Sequence, residues 1–217
     1  MTERPAMTSP PIELPGEWAA LPLFPLQAVL FPGGLLQLKV FEARYLDLMS
    51  LCLRTQSPFG VVLIIQGTEL RGNGSDKTRL ETIGVLAHLQ EVDAEQPGIL
   101  KTRCMGGTRI TLGTPHQRAD GLWLAPARAT AEDAAADVPP ELRGTARALG
   151  QAIESLAAQD QHPFLRPFRL DDAGWVANRW CEILPISAAA KQRLMVLDEP
   201  MLRLKLVDEY LRGKGVV

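Results

Sequence analysis

The side chains that could carry out acid–base, nucleophilic or metal chemistry are scattered along this chain of 217 residues. Its histidines, His88, His116 and His162, have no second His or Cys at the short spacing that most metal sites use. A serine nucleophile needs a base within hydrogen-bond reach. A local role in a loop, on a helix surface or as a helix cap is enough to explain Ser50, Ser57, Ser75, Ser155 and Ser187. We therefore predict no catalytic residue and no metal site.

Phosphate-binding sequences are missing as well. The pattern of a glycine, four residues and Gly-Lys-Ser/Thr, which cradles nucleotide phosphates, matches nowhere in the chain. The nucleophile-elbow pattern Gly-x-Ser-x-Gly is also absent. Gly72 and Gly74 follow a predicted strand, but they lack the third glycine and the helix of a dinucleotide-binding loop. We predict no nucleotide or other cofactor.

Two groups of residues could instead support binding. Lys101, Arg103 and Arg109 lie on predicted strands, and on one face they could contact phosphate, although a solvated strand face is the simpler interpretation. Trp175 and Trp180 lie on adjacent faces of a predicted helix. They fit the core of a helical bundle or its junction with a sheet, and they are our candidate recognition surface.

The composition is that of an ordinary globular protein. Apolar residues make up 46% and charged residues 22%, and the net charge of -2 gives no general attraction to nucleic acid or to an acidic membrane. Cys52, Cys104 and Cys181 are far apart, which favours buried free thiols in a reducing compartment. The sequence contains neither a signal-peptide pattern nor an apolar stretch long enough to span a bilayer. We expect a cytoplasmic protein.

The elements that position these residues begin with the densest apolar stretch, residues 20–45. Pro22, Pro25 and Pro32 each fix φ and remove a backbone donor, so the stretch cannot be one long helix. Gly33 and Gly34 allow a turn with positive φ. The pattern predicts a short strand, a kinked link, a turn, a second strand and the start of a helix, all held in the core of a β-rich part.

Periodicity then separates a β-rich half from a helical half. A helix is predicted over residues 42–55, a strand buried on both faces over 59–65, and an exposed loop over 66–79. Short strands are predicted over 83–90, 98–103, 109–112 and 122–124, as in a small barrel or sandwich.

Every segment after the last predicted strand has helical period. Pro140 is placed at the start of the first of four predicted helices, Asp171 or Asp172 at the cap of the second, Ser187 at the cap of the third and Pro200 at the start of the last. The predicted organisation is a flexible arm over 1–18, a β-rich part over 19–128, a linker over 129–140 and a helical bundle over 141–217.

Several blocks of the chain together form a family signature. The most specific are Leu21-Pro22-Leu23-Phe24-Pro25-Leu26, Val29-Leu30-Phe31-Pro32-Gly33, Leu36-x-Leu38 and Phe41-Glu42-x-Arg44-Tyr45. Weaker ones are Phe59–Leu63, Ile83–Ala87, Leu184–Ser187, Lys191-Gln192 and Leu202–Leu204. Over about residues 19–212 the chain resembles the N-terminal domain of Lon proteases, and most of all the stand-alone bacterial proteins built from that domain alone.

The resemblance implies an α+β fold. Its N-terminal part would be a mostly antiparallel β pseudo-barrel related to the PUA domain, with one inserted helix, and a C-terminal α-helical bundle would follow. One departure from the family pattern is Met105-Gly106-Gly107-Thr108-Arg109, which stands where a glycine-rich strand pair is usual. The strands after it are short and rich in alanine.

The resemblance also implies a role, because in full Lon proteases this domain helps to recognise unfolded or tagged protein substrates. The ATPase motif and the Ser-Lys peptidase dyad of those proteases lie in later domains and have no counterpart in this sequence. We therefore expect a non-enzymatic module whose ligands are unfolded or tagged polypeptides or a partner protein.

The family-motif residues are expected to be mainly structural. They are Pro22, Phe24, Pro25, Leu26, Phe31, Pro32, Gly33, Phe41, Glu42, Arg44 and Tyr45. Glu42 suits the positive end of a helix dipole, Arg44 can pair with a carboxylate or with carbonyls of the opening turn, and Tyr45 would pack beneath. These contacts would clasp the opening strands to the first helix, and contact with a bound peptide is the alternative.

Two other functions stay open at this point. An RNA-binding module is the first, since PUA-related barrels occur in RNA-binding proteins, but the near-neutral charge argues against it. An enzyme with an unfamiliar site is the second, and it would need a polar cleft that gathers Glu42, Arg44 and a histidine.

Overall fold

The structure is a computed structural model that describes residues 16–67 and 78–217. The first fifteen residues of the predicted arm and residues 68–77 of the predicted loop lie outside the described residues. Strands occupy the first part of the chain, with one helix among them, and helices occupy the last part. This arrangement confirms the predicted α+β fold class.

The strands of the described ranges form one mixed sheet. They are β1 (Glu17–Leu26), β2 (Leu35–Val40), β3 (Phe59–Gln66), β4 (Arg79–Leu80), β5 (Ile83–Gln96), β6 (Ile99–Leu112), β7 (His116–Gln117) and β8 (Trp123–Ala129). Their order is β2-β6-β5-β3-β1-β8-β7, with β4 beside β3. Because β6 also pairs with β8, the strands β1, β3, β5, β6 and β8 close into a barrel. The β1–β3 pair is parallel and the other pairs are antiparallel.

Alternate residues of the barrel strands face two different cores. Val62 and Leu86 pack inside the barrel, whereas their neighbours Val61 and Val85 pack outward against the helices. A strand between two apolar layers must be apolar throughout. This explains the continuous run of β3, whose residues 59–64 are all buried as predicted, whereas Ile65, the last residue of the predicted strand, is 51% exposed.

The opening stretch follows the predicted course. β1 ends at Leu26, a link carries the buried Phe31 to the turn, and β2 leads to helix α1 (Ala43–Thr55). Gly33 has φ +70°, a conformation that only glycine adopts freely. The amide N–H of Gly33 donates to the carbonyl of Gly106 at 2.8 Å, so the turn is hydrogen-bonded to β6.

Strand β6 differs from the prediction of two short strands around a glycine break. It is one strand with a bulge, because Gly106 pairs with Ala87 whereas Arg109 pairs with Val85. One extra residue on β6 is therefore accommodated opposite β5, which bends the strand. The two glycines at this point are required by close contacts. A Cβ on Gly106 would lie 2.2 Å from the carbonyl oxygen of Phe31.

Strands β5 and β8 are longer than predicted. β8 continues through the alanine-rich segment to Ala129, five residues beyond the end of the strand predicted over 122–124. Ala125 and Ala127 are buried in the barrel interior together with Ile110. Tertiary packing here overrides the helix propensity of alanine.

The C-terminal part contains the four predicted helices. A short 3-10 turn (Pro140–Leu142) leads into α2 (Arg143–Ala157), which is followed by α3 (Ala173–Ile183), α4 (Ala188–Met195) and α5 (Pro200–Gly213). The Asp172 side chain caps α3 by accepting the N–H of Trp175 at 2.9 Å, and the Ser187 side chain caps α4. The larger apolar core joins these helices to α1 and to the outer wall of the barrel.

The three cysteines are free and buried, as predicted. Cys104 and Cys181 lie in the larger core, and burial raises the pKa of Cys104 to about 11 and that of Cys181 to about 12. Both thiols therefore stay protonated and behave as small apolar side chains.

Candidate functional site

The turn between β1 and β2 meets the bundle through Arg179 of α3. The guanidinium is fully buried, and it donates to the carbonyls of Gly33 and, at 2.8 Å, of Pro32. It also lies 2.9 Å from the carboxylate of Glu182 one turn along the helix. Burial lowers the pKa of Arg179 against the effect of that carboxylate. The arginine thus fixes the family-motif turn onto α3.

Glu182 is held in an unusual environment at this junction. Its carboxylate lies so close to the turn that a Cβ on Gly34 would approach its Oε1 to 2.3 Å. Burial raises the pKa of Glu182 to about 7, although Arg179 and Lys191 both act to lower it.

A second buried ionic cluster joins β6, the linker and α5. The Asp133 carboxylate accepts hydrogen bonds from Arg109 of β6 and, at 2.7 Å, from Arg203 of α5. Burial alone would raise the pKa of Asp133, but the hydrogen bonds and charges of Arg203 and Arg109 outweigh it and hold the pKa below its ordinary value. The linker is therefore tied to both halves of the molecule.

The same two guanidiniums also cap the C-terminal end of α4. Arg109 donates to the carbonyls of Met195 and Leu197 at 3.1 and 3.0 Å, and Arg203 donates to that of Leu194 at 2.9 Å. Cations at a helix C-terminus interact favourably with the helix dipole. The Asp133 carboxylate and these carbonyl oxygens together offset the cost of burying the charges of Arg109 and Arg203.

Between these two clusters lies a cleft of about 580 Å³, which we call the seam cleft. Its walls are the turn residues 32–33, the β6 bulge 105–109, the linker residues 131–135 and the first part of α3, with His88 and Arg169 beside them. This volume is typical of ligand sites in proteins. Bulges are common beside functional sites because they bend a strand and redirect its side chains.

Three polar side chains at the seam cleft each have a nitrogen without a hydrogen-bond partner within residues 16–67 and 78–217. Asn178 accepts from Arg203 at 2.9 Å through its Oδ1, which leaves the two N–H groups of its Nδ2 unused although the residue is only 5% exposed. The indole N–H of Trp175 and the imidazole of His88 are also unpartnered. None of these nitrogens is among the fully buried unpartnered atoms of the described residues, so each is open to water or to a bound molecule in the cleft.

His88 packs on the β6 bulge and is half-buried. A Cβ on Gly107 would lie 2.6 Å from its Nε2, which explains the second glycine of the pair. Burial lowers the pKa of His88, so its imidazole is neutral at pH 7. The other two histidines, His116 and His162, are exposed and lie outside the seam cleft.

The structure separates the two predicted tryptophans. Trp175 lines the seam cleft and packs against Phe164 and Phe168. Trp180 is buried in the bundle, where its indole N–H donates to the carbonyl of Thr145 at 3.0 Å. Only Trp175 therefore lies where a bound molecule could reach it without unfolding the bundle.

The motif around α1 joins β1 to the helix as predicted in outline, but Arg44 bonds to a carbonyl outside the opening turn. Arg44 lies 2.9 Å from the Glu42 carboxylate and donates to the carbonyl of Gly121 at 2.7 Å. The Tyr45 ring stacks on Phe24 with ring centroids 4.0 Å apart. Phe41 is the exception in the motif, because 55% of it is exposed.

The basic residues of β6 do not act together. Lys101 and Arg103 are exposed, and Arg103 lies 3.4 Å from the Glu91 carboxylate. Arg109 is buried at the end of the bulge, where it pairs with Asp133. The three do not line one face that could follow a phosphate backbone.

Sequence reasoning missed the buried residues Asn178, Arg179 and Arg203 and the partly buried Asp133. The available signal was weak: Arg179 falls three residues after Val176, on the apolar side of α3, and Arg203 precedes the buried Leu204. An arginine on an apolar helix face suggests a buried ion pair. The partner could not be found this way, because Asp133 lies in a linker far away in the chain.

The described residues contain neither a cluster of metal-binding side chains nor a membrane-spanning helix. No group of three or more His, Cys, Asp or Glu side chains in those ranges could hold a metal ion. None of the helices there is both long and apolar enough to cross a membrane.

Comparisons with known proteins show which family this fold represents. A sequence model of the ATP-dependent protease La (LON) substrate-binding domain matches residues 20–213. A Lon N-terminal domain protein from Xanthomonas campestris is 30% identical, with a TM-score of 0.68 over 89% of this chain and 99% of that one. No curated protein sequence matches the chain.

A second solved structure shares the fold. The N-terminal domain of a Lon protease from the Mycobacterium avium complex is 12% identical, with a TM-score of 0.57 over 88% of this chain and 97% of that one. The fold and the family match define a member of the Lon substrate-binding domain class. This chain belongs to the LON substrate-binding domain family and is similar over most of its length to a Lon N-terminal domain protein.

Proposed function

We propose that this protein is a non-enzymatic module that binds polypeptides, either unfolded or tagged chains or a partner protein. The observation that carries the proposal is the match of residues 20–213 to a domain described as substrate-binding. The Xanthomonas campestris relative, with 99% of its chain covered, is a Lon N-terminal domain protein. We also propose that this protein is cytoplasmic, because its three free, buried thiols suit a reducing compartment.

The experiment is a binding titration with a chain that cannot fold. Reduced and carboxymethylated lysozyme, labelled with a fluorophore, is titrated with the full protein, and anisotropy reports binding. We expect saturable binding in the micromolar range, no binding of folded lysozyme, and no salt-sensitive binding of a single-stranded RNA oligonucleotide. Absence of binding to the unfolded chain at several hundred micromolar protein would overturn the proposal.

A further inference from the structure

The seam cleft contains a donor that the fold itself does not use. Asn178 is fixed by its oxygen, which accepts from the buried Arg203, so the amide cannot rotate to use its nitrogen elsewhere without losing that bond. Arg203 is in turn held by Asp133. The arrangement is rigid, and it keeps Nδ2 at the wall of the cleft without a partner in the described part of the chain.

The neighbouring groups extend this site along α3. Trp175 and Asn178 are three residues apart and therefore lie on one face of the helix. Trp175 adds an unpartnered indole N–H together with apolar surface, and Met105, which is 38% exposed, adds apolar surface on the β6 wall. The cleft combines uncharged donors with apolar contacts.

The charges of the seam cleft show which acceptors these donors suit. The guanidinium of Arg109 is already engaged by Asp133 and by carbonyls of α4. Arg169 lies 3.4 Å from the carboxylate of the α3 cap, Asp172. The remaining unpartnered donors, on Asn178, Trp175 and His88, are neutral. Neutral donors match neutral carbonyl oxygens, whereas a carboxylate or phosphate is best held by charged donors.

We propose that the seam cleft binds an extended polypeptide segment by its main-chain carbonyl oxygens, with Nδ2 of Asn178 and Nε1 of Trp175 as donors and with Met105 and the Trp175 ring against its side chains. This inference rests on the proposed function and assigns that function to a site. Recognition of the main chain does not depend on sequence, which suits a module whose ligands are unfolded chains of many sequences.

Two conservative substitutions test the donors. Asn178→Asp keeps the oxygen that Arg203 uses and replaces the NH2 donor by an acceptor. Trp175→Phe keeps an aromatic ring and removes the indole N–H. Each is expected to weaken binding of the unfolded lysozyme about five- to tenfold, the loss of one hydrogen bond. Trp180→Phe is the matched control, because it removes an indole N–H that bonds inside the bundle, and its affinity should stay unchanged.

Nuclear magnetic resonance supplies a readout that folding defects do not imitate. Of the four tryptophans in the chain, Trp175 should show an indole N–H signal that shifts when an acetylated and amidated five-residue peptide of alanine and leucine is added. The Asn178 side-chain signals should shift with it, and the Trp180 signal should not. A peptide with a free carboxyl terminus should bind no more tightly than the capped one.

The outcomes separate this inference from the proposed function. If the protein binds unfolded lysozyme but Asn178→Asp and Trp175→Phe bind as the unchanged protein does and neither signal shifts, the seam-cleft assignment is wrong and the function stands. If only the free carboxyl terminus binds, main-chain recognition is wrong. If unfolded lysozyme does not bind at all, both proposals fail.

Discussion

Asp133 connects the β-rich part of the molecule to the helical part through its side chain. Its single carboxylate lies between guanidiniums from β6 and from α5. Both guanidiniums are buried, so removal of the carboxylate leaves positive charge in the interior with only carbonyl oxygens around it. Breaking a buried ion pair by removing one partner is among the most costly single changes in a protein.

Replacement of Asp133 by alanine should therefore lower the free energy of unfolding by about 3 kcal/mol. Urea denaturation followed by tryptophan fluorescence measures this change. Glu132→Gln is the matched control, because Glu132 is the exposed neighbour in the same linker and should change stability by less than about 0.5 kcal/mol. Equal effects of the two variants would contradict the buried-cluster account.

The pH dependence of that contribution follows from the lowered pKa of Asp133. A carboxyl group with a depressed folded pKa stabilises the protein above its ordinary pKa and loses that contribution as pH falls through the folded value. The unchanged protein should thus lose more stability in acid below about pH 4 than Asp133→Ala does.

Glu182 should give the opposite pH dependence at neutral pH. Its pKa is raised from 4.5 to about 7, so the folded protein holds its proton more tightly than the unfolded chain. Stability from this group is largest below about pH 4.5 and falls as pH rises towards 7, by up to about 3 kcal/mol. Glu182→Gln should remove this slope in unfolding measured from pH 4.5 to 8. The exposed Glu154→Gln serves as control, and an unchanged slope in Glu182→Gln would refute the assignment.

At the scale of elements, the glycine pair of β6 determines how the barrel wall meets the rest of the fold. The two glycines face different neighbours: Gly106 lies against a backbone carbonyl of the link before β2, and Gly107 lies against the ring of His88. A carbonyl in a fixed turn cannot move aside, whereas a half-buried side chain can adopt another rotamer.

Gly106→Ala should consequently be more damaging than Gly107→Ala. We expect a loss of about 3 kcal/mol for the first and about 1 kcal/mol for the second, within the range of overpacking substitutions. Thermal or urea unfolding of both variants provides the comparison. A double variant with His88→Ala should restore most of the stability lost in Gly107→Ala and none of that lost in Gly106→Ala, and a lack of such rescue would show that the bulge is held by other contacts.

Elements with a strong local pattern were predictable from the sequence, and those determined by distant partners were not. Helix α1 was predicted over 42–55 and is found over Ala43–Thr55, because its apolar face and its stop signal are both local. The strand predicted over 122–124 is shorter than β8, because the alanines that extend β8 are held in strand conformation by packing inside the barrel and not by a local preference. The sequence predicts both Trp175 and Trp180 as a recognition surface, and only the structure shows that Trp175 alone of the two lines the seam cleft. Asn178 carries no local signal at all.

At the scale of the whole molecule, one apolar core belongs to both halves. Phe31 and Phe59 of the barrel side and Leu149, Val176 and Leu204 of the bundle belong to the same buried cluster. A half that unfolded alone would expose the apolar surface of the other. The boundaries predicted at 19–128 and 141–217 therefore divide the chain by composition, and we expect the two parts to unfold together.

Equilibrium unfolding should accordingly be a single transition. Far-ultraviolet circular dichroism reports mainly the helices, and the fluorescence of Trp18 and Trp123 in a variant with Trp175→Phe and Trp180→Phe reports the barrel. The two curves should superimpose, with one midpoint and one slope. Two separated midpoints would instead identify independent domains.

The pairing of β1 has a consequence for how the chain folds as it is made. Leu23 pairs with Gly60 on one side and with Trp123 on the other, so the first strand needs partners that are synthesised much later. Contacts between residues this distant in the chain slow folding. Until β8 leaves the ribosome, the apolar residues of β1 are without one neighbouring strand and are open to aggregation or to chaperones. A module proposed to bind unfolded chains is itself, during its synthesis, an unfolded chain with an exposed apolar strand.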